Sequence, residues 1–283
     1  EVTILTIKDE FARLKELEKR REAVIRSIEE QEKMTPGLLQ RLNEAVTLSE
    51  LEDIYLPYRP KRRTRATVAR ENGLEPLAVT IFKQEITDPE AEAGKYISEK
   101  VATTDEALSG ACDIIAEWIS EDEKARRMLR GLFEREAVIV SKVIKGKETD
   151  GNKFADYFEW SEPARRCPSH RMLAMLRGEN EGFLRLSFMP DETKALSILE
   201  NLFIKGKSAS SELVKNTVHD SWKRLLSPSL ENEFKNTCKE KADDEAIKVF
   251  ADNLRQLLLA PPLGEKSILA IDPGYRTGCK IVC

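Results

Sequence analysis

The strongest constraint on the fold of this chain is a series of apolar segments with helical spacing, most of them opened by a hydroxyl residue and closed by proline or glycine. Thr35 and Pro36 read as N-cap and N1 of a helix reaching Ala45. Thr47 caps the next, and Glu50 three residues on completes a capping box, in which hydroxyl and carboxylate each satisfy an orphan amide of the first turn. Leu48, Leu51 and Ile54 share its apolar face, and Pro57 and Pro60 end it. Thr64 caps a short helix over Arg65 to Asn72, with Gly73 as its C′ stop. Thr103 and Glu106 open a longer one, lined by Ala107, Leu108, Ala111, Ile114, Ile115 and Trp118. Glu121 to Glu134 predicts its antiparallel return, with Met128, Leu129, Leu132 and Phe133 turned inward. Such punctuation specifies a mainly α, multi-helical bundle.

The flanks follow the same rhythm. Lys8 to Gln31 sets Phe11, Leu14, Leu17, Val24, Ile25 and Ile28 at three- and four-residue steps, so the part up to Gly73 is a string of helices joined by tight turns, the raw material of a helix-turn-helix-like unit. Helices are also expected near Leu77 to Phe82, after Asp88-Pro89, over Glu212 to Leu226 and over Pro228 to Leu259. In the last of these, Ala242, Ala246, Val249, Phe250, Leu254, Leu257 and Leu258 mark the stripe expected to be buried. Only Ala137 to Ile144 and Gly182 to Phe188 break the pattern, with β-branched or alternating apolar residues that can pair as a small antiparallel ribbon. The stiff APPLG segment before Ser267 to Gly274 reads as a hand-over from helix to strand. The expected organisation is residues 1–74, 75–263 and 264–283.

Between the second and third capped helices lies a dense cationic run: Arg59, Lys61, Arg62, Arg63 and Arg65, with Tyr58 beside Pro57 and Pro60. Cations this close repel unless an anion or acidic neighbours stand opposite. They are either a phosphate-holding surface or a solvated basic turn paired to Glu50, Glu52 and Asp53. A second candidate, Arg165, Arg166 and Arg171 among other cations, is interleaved with Tyr157, Phe158 and Trp160, rings that either stack on unpaired bases or belong to the core. The net charge of -4 means that any affinity for nucleic acid comes from such a local patch and not from the global field.

Several chemistries lack a basis. The two histidines, His170 and His219, and five scattered cysteines, Cys112, Cys167, Cys238, Cys279 and Cys283, offer no CxxC and no zinc spacing, which suits reduced thiols in a cytosol. No GxSxG, GxGxxG or GxxxxGK[ST] occurs, and His170, beside a capping Ser169, suits a packing or capping role. No apolar run reaches membrane-spanning length, and VTILTI is too short for a signal-peptide core. No cofactor and no catalysis are expected.

The runs IYLPYRPKRRTR and GLEPLA, KGKE, FADYF, PSHRMLAMLRGENEG, EKADDEAIKVFADNLRQLLLAPPLG and IDPGYRTGCK, in that order, resemble the Tex family of bacterial transcription accessory proteins, from about Glu16 onward. That resemblance implies a multidomain nucleic-acid-binding protein: a helical N-terminal region, a YqgF-type RNase H-like domain, helix-hairpin-helix elements and a C-terminal OB-fold RNA-binding domain. RNA or DNA is the implied partner, together with transcription or ribosomal machinery. The opening EVTILTIKDEF departs from the family's usual lead, and the chain stops at Cys283 inside what should be the second RNase H-like strand, so it reads as a truncated product. Asp272 stands where RNase H-like nucleases keep a first metal-binding carboxylate. One carboxylate cannot hold two metals, and Asp272 equally suits a turn before Pro273-Gly274.

Overall fold

The computed structural model describes residues 2–262, 264–274 and 278–282. Cys283, Tyr275 to Thr277 and Leu263, which belong to segments discussed above, lie outside the described residues. The described chain is mainly helical: α1 (Val2–Glu29), α2 (Pro36–Glu44), α3 (Leu48–Tyr55), α4 (Arg65–Glu71), α5 (Glu75–Lys83), α6 (Pro89–Ala93), α7 (Thr104–Glu121), α8 (Glu123–Glu136), α9 (Ser169–Asn180), α10 (Glu192–Phe203), α11 (Ala209–Ser221) and α12 (Ser227–Leu258). None of these is long and apolar enough to cross a membrane.

The expected caps close these helices as local chemistry requires. Thr35, Thr47, Thr64 and Thr103 each accept the backbone N–H three residues on, at 3.0–3.2 Å. Glu50 and Glu106 complete their boxes one residue further back than the cap itself, accepting the N–H of Val46 at 3.0 Å and of Ala102 at 2.8 Å. Helix α4 ends as a Schellman motif: Leu74 N–H reaches Ala69 O, Gly73 N–H reaches Arg70 O, and Gly73 takes φ +77. Leu74 is thereby buried against α7, where Gly110 allows the close approach; a Cβ at Gly110 would stand 2.5 Å from Leu74 Cδ1. Ser169 does not cap α9, because the helix already begins there, with Pro168 as N-cap and no side-chain bond.

Two hydrophobic cores result. Leu17, Val24, Ile28, Leu38, Leu42, Leu51, Ile54 and Tyr55 join α1, α2 and α3. The larger core runs from Ala66 on α4 to Ala242 on α12, so α4 packs with the central body. Trp118 and Phe133 both pack in or against that core. Met128 departs from the expected inward row of α8, at 40% exposure, because the side chains of Leu129, Leu132 and Phe133 already fill the interior arc.

Strand β1 (Val138–Val143) pairs antiparallel with β3 (Leu184–Met189), the ribbon expected from the sequence, but also with β2 (Glu159–Pro163), giving the order β2-β1-β3. A charged five-residue segment ending in proline gives too weak an alternation for its apolar pattern to announce a strand. A second ribbon pairs β4 (Ala270–Pro273) with β5 (Cys279–Val282) and is exposed on all its residues.

The helix expected to break before Pro228 instead continues. Trp222–Leu226 forms a π turn that carries α11 directly into α12, with Leu226 at φ -71, ψ -53. Widening the backbone here accommodates a proline that lacks an N–H and crowds the carbonyl four residues back. Beyond Ala242 the expected buried stripe is exposed: Val249, Phe250, Leu254, Leu257 and Leu258 range from 43% to 76% accessible. Phe11 and Leu14 on α1 are likewise exposed. Helical spacing establishes an amphipathic face but carries no information on whether anything covers it.

Candidate nucleic-acid interface

The basic run occupies the turn between α3 and α4, and both ends of that turn are fixed. Leu56–Tyr58 forms a 3-10 turn, and Gln31, in the turn after α1, donates from its side-chain amide to Tyr58 O at 2.8 Å. Tyr58 itself is half-buried against the N-terminal core. At the far end Thr64 caps α4 and donates to the Glu117 carboxylate at 3.2 Å.

The carboxylates facing the run are not the expected ones. Glu50 is spent on Val46, Glu52 binds Arg20, and Asp53 turns inward to Arg126 and Arg130. Instead α7 presents Asp113, Glu117 and Glu121, an acidic row at four-residue intervals. Lys61 is held by Glu121 and by Glu117, the latter at 3.2 Å, and Arg70 binds Glu117 at 2.6 Å. Arg63 reaches Glu71 at 3.0 Å on the open surface. Arg224 joins Asp113 at 2.8 Å, and Arg65 adds its charge to the same carboxylate from a greater distance. Arg59, Arg62 and Arg65 are exposed, and their side chains have no ion pair or hydrogen bond among the described residues. The acidic row was legible in the sequence as an i, i+4, i+8 pattern, but its partner was not, since the pairing is tertiary.

Burial pushes the Glu117 carboxyl up, yet the hydrogen bond from Arg70 and the charge of Lys61 outweigh it and hold the group below its ordinary value. Burial wins at Glu121, which is raised despite Lys61, and at Asp113, raised despite Arg224 and Arg65. A depressed Glu117 stabilises the fold above the pH at which an unfolded glutamate titrates, and this contribution is lost as pH falls through the folded value. A raised Glu121 has the opposite sign: its contribution is present in acid and lost as pH rises through the folded value. Glu117→Gln is therefore expected to lower stability by about 1–2 kcal/mol at about pH 7 and by much less at about pH 3. Glu121→Gln is expected to leave it unchanged or raise it at about pH 7, and thermal melts of both variants at the two pH values check the pair.

The second candidate patch divides. Arg165 and Arg166 project from the 3-10 turn Ala164–Arg166, exposed and without an ion pair among the described residues. Arg171 is held: it binds Glu162 at 2.8 Å and lies over Trp160 at 4.9 Å, while Trp160 donates to the same carboxylate at 2.9 Å. Tyr157, Phe158 and Trp160 are half-buried against the central core. His170 is exposed at the rim of a cleft with Lys153, Tyr157 and Arg177. Burial raises the thiols of Cys167 and Cys238 to about 12 and about 11, which removes them as nucleophiles at neutral pH. Asp272 stands in the exposed β4 opposite Lys280, and among the described residues no three His, Cys, Asp or Glu side chains gather as metal ligands.

Residues 84–250 match the family model described as Tex central region-like. The chain is 44% identical over 94% of its length to the transcriptional accessory protein Tex of Neisseria gonorrhoeae. It is 42% identical over 95% of its length to protein YhgF of Escherichia coli. It is 30% identical over 95% of its length to the human S1 RNA-binding domain-containing protein 1. The chain spans 36%, 36% and 28% of these three relatives respectively. With more than half of its residues under that family model, the chain belongs to the Tex family.

Proposed function

We propose that this chain is a non-catalytic, nucleic-acid-binding helical scaffold that works in the cytoplasm and meets a phosphate backbone through Arg59, Arg62 and Arg65, with Arg165 and Arg166 as a second contact. One observation carries the reading: two of the five cations of the loop are fastened to carboxylates, whereas three guanidinium groups are left exposed on a turn that is pinned at both ends. A rigid turn presents cations without the ordering penalty of a floppy one, and a chain of net charge -4 has little other reason to concentrate them. The names of two relatives, one a transcriptional accessory protein and one carrying an S1 RNA-binding domain, support RNA or DNA as the partner, alongside transcription or ribosomal machinery.

Each phosphate contact releases counterions, so replacing Arg59, Arg62 and Arg65 by glutamine is expected to weaken binding and to reduce the slope of log K against log salt by about two to three. Titration of single- and double-stranded nucleic acid at several salt concentrations checks it. Identical affinity and slope in parent and variant would favour the second reading, an architectural scaffold that docks on proteins. That reading has its own support in the apolar rows Ile4, Ile7, Phe11 and Leu14 on α1 and Ile247, Phe250, Leu254 and Leu257 on α12, all exposed.

A further inference from the structure

Behind the basic turn, between it and the helices α7 and α8, lies a cleft of about 260 Å³ whose walls carry five cations, Arg59, Lys61, Arg65, Arg126 and Arg224, against three carboxylates. The carboxylates are already engaged: Asp113 by Arg224, and Glu117 and Glu121 by Lys61. Arg59 and Arg65 remain without an ion pair among the described residues. The inner wall is different in kind. Arg126 is 7% exposed, and its Nε is satisfied by Asp53 at 2.7 Å. Its two terminal nitrogens reach Ser120 O, Ser229 Oγ and Glu233 only at 3.4–3.5 Å, the outer limit of a hydrogen bond. A buried guanidinium whose terminal nitrogens are held only at long range thus backs a cleft whose mouth carries two arginines without an ion pair among the described residues, a wall suited to an acceptor-rich anion.

We propose that this cleft receives a terminal phosphate, a phosphomonoester at a strand end, and thus gives the scaffold a preference for nucleic-acid ends. The inference rests on the nucleic-acid reading above and narrows it. Charge selects the monoester: it carries about -1.5 to -2 near neutral pH, matching the two unpaired guanidinium groups, while a phosphodiester inside a strand carries one charge. Shape selects the end, because a concave site admits a chain terminus more readily than a continuous backbone flanked on both sides. Planar guanidinium forks bind three-oxygen anions in bidentate fashion, which suits Arg59 and Arg65 at the mouth, while Arg126, held by Asp53 and Glu233, lines the back wall.

The test uses the 283-residue chain with one oligonucleotide sequence prepared with a 5′-phosphate, a 3′-phosphate or hydroxyls at both ends. The phosphorylated strand of the accepted polarity is expected to bind about tenfold tighter than the hydroxyl strand. Arg65→Gln is expected to remove that difference, while Arg62→Gln, outside the cleft, weakens all three strands alike. Equal affinity of all three strands for the parent chain overturns the cleft assignment and leaves the nucleic-acid reading intact. If no strand binds, that reading fails, and a titration with phenyl phosphate decides the cleft by itself. Binding that Arg65→Gln abolishes upholds the anion site, and absence of binding overturns it.

Discussion

Asp53→Ala is expected to lower the stability of this chain by about 3–5 kcal/mol, because it leaves two guanidinium groups without their buried counter-charge. Asp53 is 6% exposed and accepts from Arg126 Nε at 2.7 Å and from both terminal nitrogens of Arg130 at 3.0 and 3.1 Å. Glu233 of α12 closes the network from the other side. Burial alone would depress Arg130, yet the hydrogen bonds and charges of Glu233 and Asp53 hold it above its ordinary value. The network also spans the two cores, since Asp53 rides on a helix of the N-terminal one and Arg126, Arg130 and Glu233 on helices of the central one. Its loss is therefore expected to uncouple them, so that urea unfolding of Asp53→Ala shows a lower midpoint and a broadened or split transition. Combining Asp53→Ala with Arg126→Met is expected to recover part of the loss, since the second change removes one stranded charge. A single, sharp transition at the parental midpoint would refute the role given to Asp53.

Trp222→Ala is expected to cost about 3–5 kcal/mol through a different mechanism, the loss of apolar contact plus the cavity left behind. The indole is 1% exposed, 6.3 Å from the Phe133 ring, and stands at the start of the π turn between α11 and α12. Trp222→Phe keeps most of the volume, so about 1–2 kcal/mol is expected there. Thermal denaturation of the two variants separates the cavity effect from a general intolerance of substitution in the turn. Equal losses would point to the π geometry itself.

Much of this architecture was readable because its signals are local. A threonine three residues ahead of an unpaired amide announces a helix start wherever the rest of the chain goes, which is why Thr35, Thr47, Thr64 and Thr103 all cap as expected. The strands β1 and β3 were legible for the same reason, through their own β-branched or alternating apolar residues. What the sequence concealed are relations across the fold. Asp53 and Glu52 sit beside the basic run in sequence yet bind arginines 73 to 77 and 32 positions away, while the carboxylates of α7, about fifty residues downstream, take the loop. The same limit applies to α12, whose apolar stripe has helical spacing from Ala242 to Leu258 although its packing ends near Ala242. The continuation through Pro228 was hidden because a proline in sequence gives no sign that a widened turn will absorb it.

The uncovered half of α12 has a mechanical meaning. From Ala242 to Leu258 the helix extends about 24 Å at 1.5 Å per residue, gripped among the described residues at its near end by Leu230, Phe234 and Ala242. Each degree by which the gripped segment tilts sweeps the free tip through about 0.4 Å over that length. A tilt of about 5° in the gripped segment would therefore carry the far tip through about 2 Å, so the direction of the outer apolar row is set by how Leu230, Phe234 and Ala242 seat in the core.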